Sequence, residues 1–187
     1  WNEECGVFGC VGVPQAAAIT ALGLHALQHR GQEATGVVAC DAGRFHSHKG
    51  IGLVSDVYRD ADLEHMPGNM AIGHNRYSTA GGLTLENTQP LRVVYRGGAL
   101  ALGHNGNLTN AREVRSGLEE SGSIFQTTLD TEVFLHLMAL SGTNDVEEAL
   151  TEEPDLARLC ASRAEYAELL AVAQKLEGLN RHASTHA

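Results

Sequence analysis

Four short stretches of this chain carry side chains suited to attack on a carbonyl carbon: Cys5-Gly6, HNRYST with Arg76, GHNGN with Asn105-Gly106, and Leu129-Asp130-Thr131. A thiol attacking an amide or ester needs a base to take its proton and donors to hold the oxyanion that forms. Cys5 stands at the front edge of an apolar run, after four residues with two carboxylates and no pattern. With residues 1–4 removed, Cys5 would carry a free α-amine beside its own thiol. Such an amine titrates at roughly 7.7–8, so part of it is neutral and able to accept the thiol proton. The side-chain amide of Asn105 and the open backbone N–H of Gly106 are donor types that oxyanion holes use. Arg76 can pair bidentately with a carboxylate, and Asp130 can accept from an ammonium, so together they suit an amino-acid zwitterion. Each piece alone has a plainer reading. A cysteine beside a strand is ordinarily a small buried hydrophobe, and Asn-Gly is ordinarily a turn. An Asp before a helix is ordinarily a cap, though a cap still has lone pairs to offer.

The intervening sequence supplies elements to hold these pieces. Residues 5–13 alternate as a strand buried on at least one face, and Pro14 opens a helical stretch, PQAAAITALGLHALQHRG, with Gly31 as its stop. ATGVVACDAGRFHSHKG has the pattern of a hairpin turning at Asp41-Ala42-Gly43. GLVSDVYRDADLEHM suggests a short helix and NMAIGHNRYST a strand leaving its sheet at a polar turn. LRVVYRGGALALGHNGN reads as a second hairpin, turning at Gly97-Gly98. In NAREVRSGLEESG, Asn110 and Glu113 have capping-box spacing and Gly122 ends the helix. DTEVFLHLMALSG is a further helix with Asp130 at or near its N-cap. Strands joined by short turns imply antiparallel sheets with helices packed outside, an α+β fold.

Length and charge narrow the classes. The 187 residues suffice for one domain, or one domain with an appendage, and no internal repeat is present. A formal charge of −10 argues against a nucleic-acid footprint. No apolar run approaches a membrane span, and no signal-peptide pattern opens the chain. Cys5, Cys10, Cys40 and Cys160 lack the spacing of a secreted disulfide framework, so a cytoplasmic protein with reduced thiols is expected.

Taken in order, CGVFG, LQHRGQEATG, GHNRYSTAGG, NTQP, GHNGNLTN and LDTEVFLHL resemble the glutaminase domain of the amidophosphoribosyltransferase family, over about residues 1–150. LQHRGQE favours this family over the relatives that share a Cys-first glutaminase. The resemblance implies an N-terminal-nucleophile sandwich of two antiparallel sheets between helical layers. It implies that Cys5 attacks the side-chain amide of glutamine, giving a thioester and ammonia, with its own amine as base and then acid. Asn105 and Gly106 would stabilise the oxyanion; Arg76 would bind the substrate α-carboxylate and Asp130 its α-ammonium; Tyr77, Ser78 and Thr79 would line the pocket. One branch of the family removes a short pro-segment to free the cysteine, and residues 1–4 would be what remains of one. Glutamine is then the expected small-molecule partner, with no nucleic acid and no membrane. Full-length relatives use Mg2+ in their transferase half, some carry an iron–sulfur cluster, and they can form homo-oligomers; no cofactor is expected in this chain.

The pattern departs from the family after about residue 150. Strands that complete the sandwich, and the phosphoribosyltransferase half of purine biosynthesis, are expected there and are absent, so the fold is read as an incomplete sandwich. Residues 151–187 read instead as a polar helical tail opening at Thr151-Glu152, with Leu156, Leu159, Tyr166, Leu169, Leu170 and Ala173 on its apolar side. KLEGLNRHASTHA resembles a fragment of the bacterial DNA polymerase III α subunit, which points to a fusion near residues 146–152. A catalytically inactive fusion, acting at most as an interaction module, is the alternative to a working glutaminase. His182 and His186 share helical spacing but lack a third ligand, and Cys5 and Cys10 have an odd separation that sends them to opposite faces of a strand; no metal site is expected. His29, His46 and His48 are read as structural or exposed.

Overall fold

The computed structural model describes residues 5–77, 82–96, 98–143, 145–152 and 154–161. At its centre lies β2 (Ala34–Asp41), whose small and β-branched residues are buried except for the last. It pairs antiparallel with β3 (Arg44–Ile51) and with β4 (Met70–Arg76), and β4 pairs in turn with β1 (Gly6–Val11). The sheet order is β1-β4-β2-β3, which leaves β1 on an edge. The β2–β3 hairpin closes through Ala42 and Gly43, both at positive φ (46° and 80°), the two-residue geometry that matches strand twist. A second antiparallel pair, β5 (Leu91–Tyr95) and β6 (Gly98–Leu102), forms the other sheet among the described residues.

Helix α1 (Ala16–Ala26) covers one face of the larger sheet. Its Ala16, Ala17, Ala21 and Leu24 join Val37, Ala39 and Ala71 in the first core, and short α2 (Val54–Val57) adds Val54. A second core joins α4 (Ala111–Glu120) and α5 (Glu132–Ser141) through Leu118, Val133, Leu137 and Met138, with Leu100 of β6 packed against it. The layers therefore run helix, sheet, sheet, helices, and the fold is α+β as expected.

Several local expectations are corrected. Helix α1 ends at Ala26, and a 3-10 turn at Gln28–Arg30 occupies the stretch before Gly31. GLVSDVYRDADLEHM forms two short helices, α2 and α3 (Asp60–Glu64), split at Tyr58-Arg59. The second hairpin pairs Tyr95 with Gly98, so Gly98 belongs to β6 and not to the turn, while Gly97 lies outside the described residues. Asn110 precedes α4 without any side-chain cap, and its Oδ1 is buried with no partner, so the capping box does not form. The end of α4 is as expected: the Ser123 N–H reaches the Leu118 carbonyl and the Gly122 N–H that of Glu119, a Schellman closure. Thr151 and Glu152 close a helix, α6 (Val146–Glu152), where they were expected to open one; Pro154 begins α7 (Pro154–Ala161). Ala149 and Leu156 are buried in the second core, so these helices pack against α5. The remaining expectations for the tail, His182 and His186 included, lie outside the described residues.

Candidate active site

Cys5 sits where the register of β1 on β4, Gly6 opposite Asn75, continues to place it beside Arg76. The Tyr77 N–H donates to Cys5 Sγ at 3.4 Å, and Sγ lies 3.6 Å from the Tyr77 carbonyl. From the other side, Arg30 Nε donates to the Cys5 carbonyl at 3.2 Å. The thiol is half-buried and not disulfide-bonded. Arg30 belongs to LQHRGQE, whose sequence reading assigned no role to it. The same motif explains Gly31, where a Cβ would come within 2.8 Å of the Arg76 backbone.

Arg76 is 4% exposed and its guanidinium donates to the main-chain carbonyl of Asn87 at 3.0 Å. Asn87, in NTQP, then spans to the far side: its amide donates to Thr128 Oγ1 at 2.9 Å, and its Oδ1 accepts the Thr128 N–H at 3.0 Å. Two positions on, Asp130 is committed on both oxygens. Oδ2 accepts the Leu108 N–H at 2.7 Å, and Oδ1 accepts the Thr131 N–H at 2.8 Å. Helix α5 takes Thr131 as its N-cap residue, so Asp130 stands one position ahead of the cap and ties the loop after β6 to the helix start. Each carboxylate oxygen keeps lone-pair capacity for an ammonium.

That loop carries Asn105 and Gly106, both exposed. His104, just before them, is anchored: its N–H donates to Gln89 Oε1 at 2.6 Å, and its Nδ1 lies 3.3 Å from Thr131 Oγ1. The Asn105 amide has no partner among the described residues, which leaves it open to a ligand. No hydrogen bond joins Cys5 directly to Asn105, Gly106 or Asp130; Arg76, beside Cys5, is tied through Asn87 to Thr128, two positions before Asp130. Ser78 and Thr79 lie outside the described residues. Glu132, missed from the sequence, is 6% exposed and accepts from the N–H groups of Gln126 and Thr127, each at 2.8 Å, so it shapes the segment that presents Thr128 and Asp130.

The layer between the sheets is polar and rich in cations. Lys49 donates to the Thr88 carbonyl at 2.6 Å, and burial lowers its pKa to about 8. His74, on the face of β4 that bears Arg76, is 1% exposed, and neither ring nitrogen reaches a hydrogen-bond partner. Burial drives its pKa down to about 4; the His104 backbone opposes the shift, and nearby His104, Arg76 and Lys49 add to it. His104 is lowered as well, by burial, against the pull of Asp130. His74 is therefore neutral at pH 7 and leaves Arg76 as a fixed charge on that face. No group of three His, Cys, Asp or Glu side chains is placed to hold a metal among the described residues.

The family model described as "Glutamine amidotransferase domain" matches residues 54–151. Over 138 residues the chain is 56% identical to the amidophosphoribosyltransferase of Lacticaseibacillus casei, covering 73% of this chain and 71% of that one. This chain belongs to the glutamine amidotransferase family. The amidotransferase of Vigna aconitifolia, a chloroplastic amidophosphoribosyltransferase, is likewise 56% identical over 140 residues, 75% of this chain and 29% of that one. A solved glutamine phosphoribosylpyrophosphate amidotransferase from B. subtilis superposes with a TM-score of 0.71 at 45% identity, over 80% of this chain and 32% of that one. The chain thus spans about a third of the length of these longer amidotransferases, and the match carries the N-terminal-nucleophile fold with it. No helix among the described residues is long and apolar enough to cross a membrane.

Proposed function

We propose that this chain is the glutamine-hydrolysing module of an amidophosphoribosyltransferase, with Cys5 as nucleophile once residues 1–4 are removed. The α-amine of Cys5 takes the thiol proton, and sulfur attacks the side-chain carbonyl carbon of glutamine. The oxyanion is held by the Asn105 amide and the Gly106 N–H; its collapse breaks the C–N bond, and the amine returns its proton to the departing ammonia. Water then attacks the γ-glutamyl thioester, releasing glutamate and restoring the thiol. Arg76 takes the α-carboxylate, Asp130 the α-ammonium, and Tyr77, Ser78 and Thr79 line the pocket. The use of the ammonia on a phosphoribosyl acceptor, in purine biosynthesis, belongs to the longer relatives' remaining two thirds.

One observation supports this reading above the others: Cys5 at the head of β1 lies against Tyr77 and beside Arg76, and a continuous hydrogen-bond path runs from Arg76 through Asn87 to the Asp130 segment. The test pairs intact mass, to establish Cys5 as the first residue, with a glutamine-hydrolysis assay on the same sample. Ammonia release that vanishes in Cys5→Ala, and a covalent adduct with diazo-oxonorleucine at Cys5, are expected. A folded protein with a proven N-terminal Cys5 that forms no adduct overturns the proposal.

A further inference from the structure

We infer that Asn87 is a positioning residue that fixes the spacing between the two groups that read the charged ends of an amino acid. The inference rests on the roles proposed above for Arg76 and Asp130. An α-carboxylate and an α-ammonium hang from one carbon, so their receptors must hold a set separation, and a productive site tolerates errors of only about half an ångström. Arg76 ends β4 of the larger sheet, whereas Asp130 precedes α5 of the opposite layer. Nothing in the backbone ladder joins these two layers at this point, so a side chain has to set the distance.

Asn87 is placed and satisfied for that task. It is 4% exposed. Its main-chain carbonyl accepts from Arg76 at 3.0 Å, which orients the guanidinium. Its amide nitrogen donates to the Gly82 carbonyl at 3.1 Å and to Thr128 Oγ1 at 2.9 Å, while Oδ1 accepts the Thr128 N–H at 3.0 Å. The paired contacts to one residue form a two-pronged clamp that fixes direction as well as distance. Both amide hydrogens are used, so an alkyl side chain or a carboxylate cannot replace the set. The segment is also pressed from beneath, because a Cβ on Gly36 would lie 2.2 Å from the Gln89 carbonyl oxygen. Thr128, by contrast, is exposed, so its methyl and hydroxyl matter little to any core.

The experiment measures L-glutamine Kd by titration calorimetry on the full chain in a Cys5→Ala background, which binds without turnover. Asn87→Ala and Thr128→Val are each expected to weaken binding about tenfold. The double variant is expected to be no weaker than the worse single one, because one clamp is broken either way. Thr128→Ser, which keeps the hydroxyl, is expected to restore affinity to within about twofold, a rescue that a loss of packing alone would not show. Thermal melts accompany every variant. Should Asn87→Ala not fold, Thr128→Val carries the test, and an unchanged Kd there overturns the inference. Losses that multiply in the double variant, or Asn87→Ala binding glutamine as its parent does, overturn it while leaving the glutaminase reading intact. A Cys5→Ala parent that binds no glutamine removes both.

Discussion

Gly36→Ala tests the packing that sets the site against the sheet. A Cβ built at Gly36 meets the Gln89 carbonyl oxygen at 2.2 Å and its carbonyl carbon at 3.0 Å. An ordinary contact needs about 3.4 Å, so one backbone must retreat by about 1 Å. Neither is free to do so. Gly36 lies in β2, bonded on both sides to β3 and β4, and Gln89 holds the His104 N–H beside the Asn105 loop. Overpacking a close-packed interior costs about 1–3 kcal/mol, and a clash of two backbones belongs at the upper end. For a chain of this size about 3 kcal/mol corresponds to a fall in Tm of about 6–12 °C. Gly117→Ala is the matched control: a Cβ in the interior of α4 meets nothing within 4 Å, so that variant is expected to gain about 0.5–1 kcal/mol. Urea unfolding with a glutamine titration on both variants reads stability and site together. A Gly36→Ala protein as stable as its parent, with unchanged glutamine affinity, would refute the packing argument.

Stability is expected to fall as the solution is acidified. His74 is held at about 4 when folded and returns to about 6.5 when unfolded. The neutral ring is compatible with the fold above pH 6.5, and between 6.5 and 4 only the unfolded chain takes up the proton. At pH 5 this costs about 2 kcal/mol relative to pH 7.5, with His104 and His136, also lowered by burial, acting in the same direction. Urea titrations at the two pH values check it, and a slope unaltered by His74→Leu would count against it. Glu132→Ala removes the acceptor for two backbone N–H groups and the Thr127 hydroxyl, all at 2.8 Å. It is expected to cost about 3 kcal/mol by urea unfolding; a loss under 1 kcal/mol would mean the segment is held by other contacts.

The sequence was most legible where chemistry and local geometry coincide. Alternation and turn residues were enough to find the β2–β3 hairpin, and the Gly122 stop of α4 is a local backbone event that a single residue announces. Cys5, Arg76 and Asp130 stood out because a thiol, a guanidinium and a carboxylate are rare in such company. What sequence reading missed acts at long range. Arg30 reaches Cys5 across 25 positions and Asn87 reaches Thr128 across 41, and neither spacing leaves a periodic trace. Gly36 appears as an unremarkable residue within an apolar run, since the carbonyl it makes room for comes from a segment more than fifty residues away. The capping box at Asn110 failed for the opposite reason: its local spacing was right, yet the side chain is buried without its backbone donor.

The strand that follows Cys5, the proposed nucleophile, is fastened along one border only, since among the described residues β1 has β4 as its single neighbour. The sulfur's aim therefore depends on an outer ribbon whose inner-face Val7 and Val11 remain open to water. Fraying begins at such margins and needs far less energy than dissolving the centre of the sheet. Under the proposed mechanism, catalytic competence thus rests on the hold of six residues on their neighbour, and it is expected to be lost while the bulk of the protein stays folded.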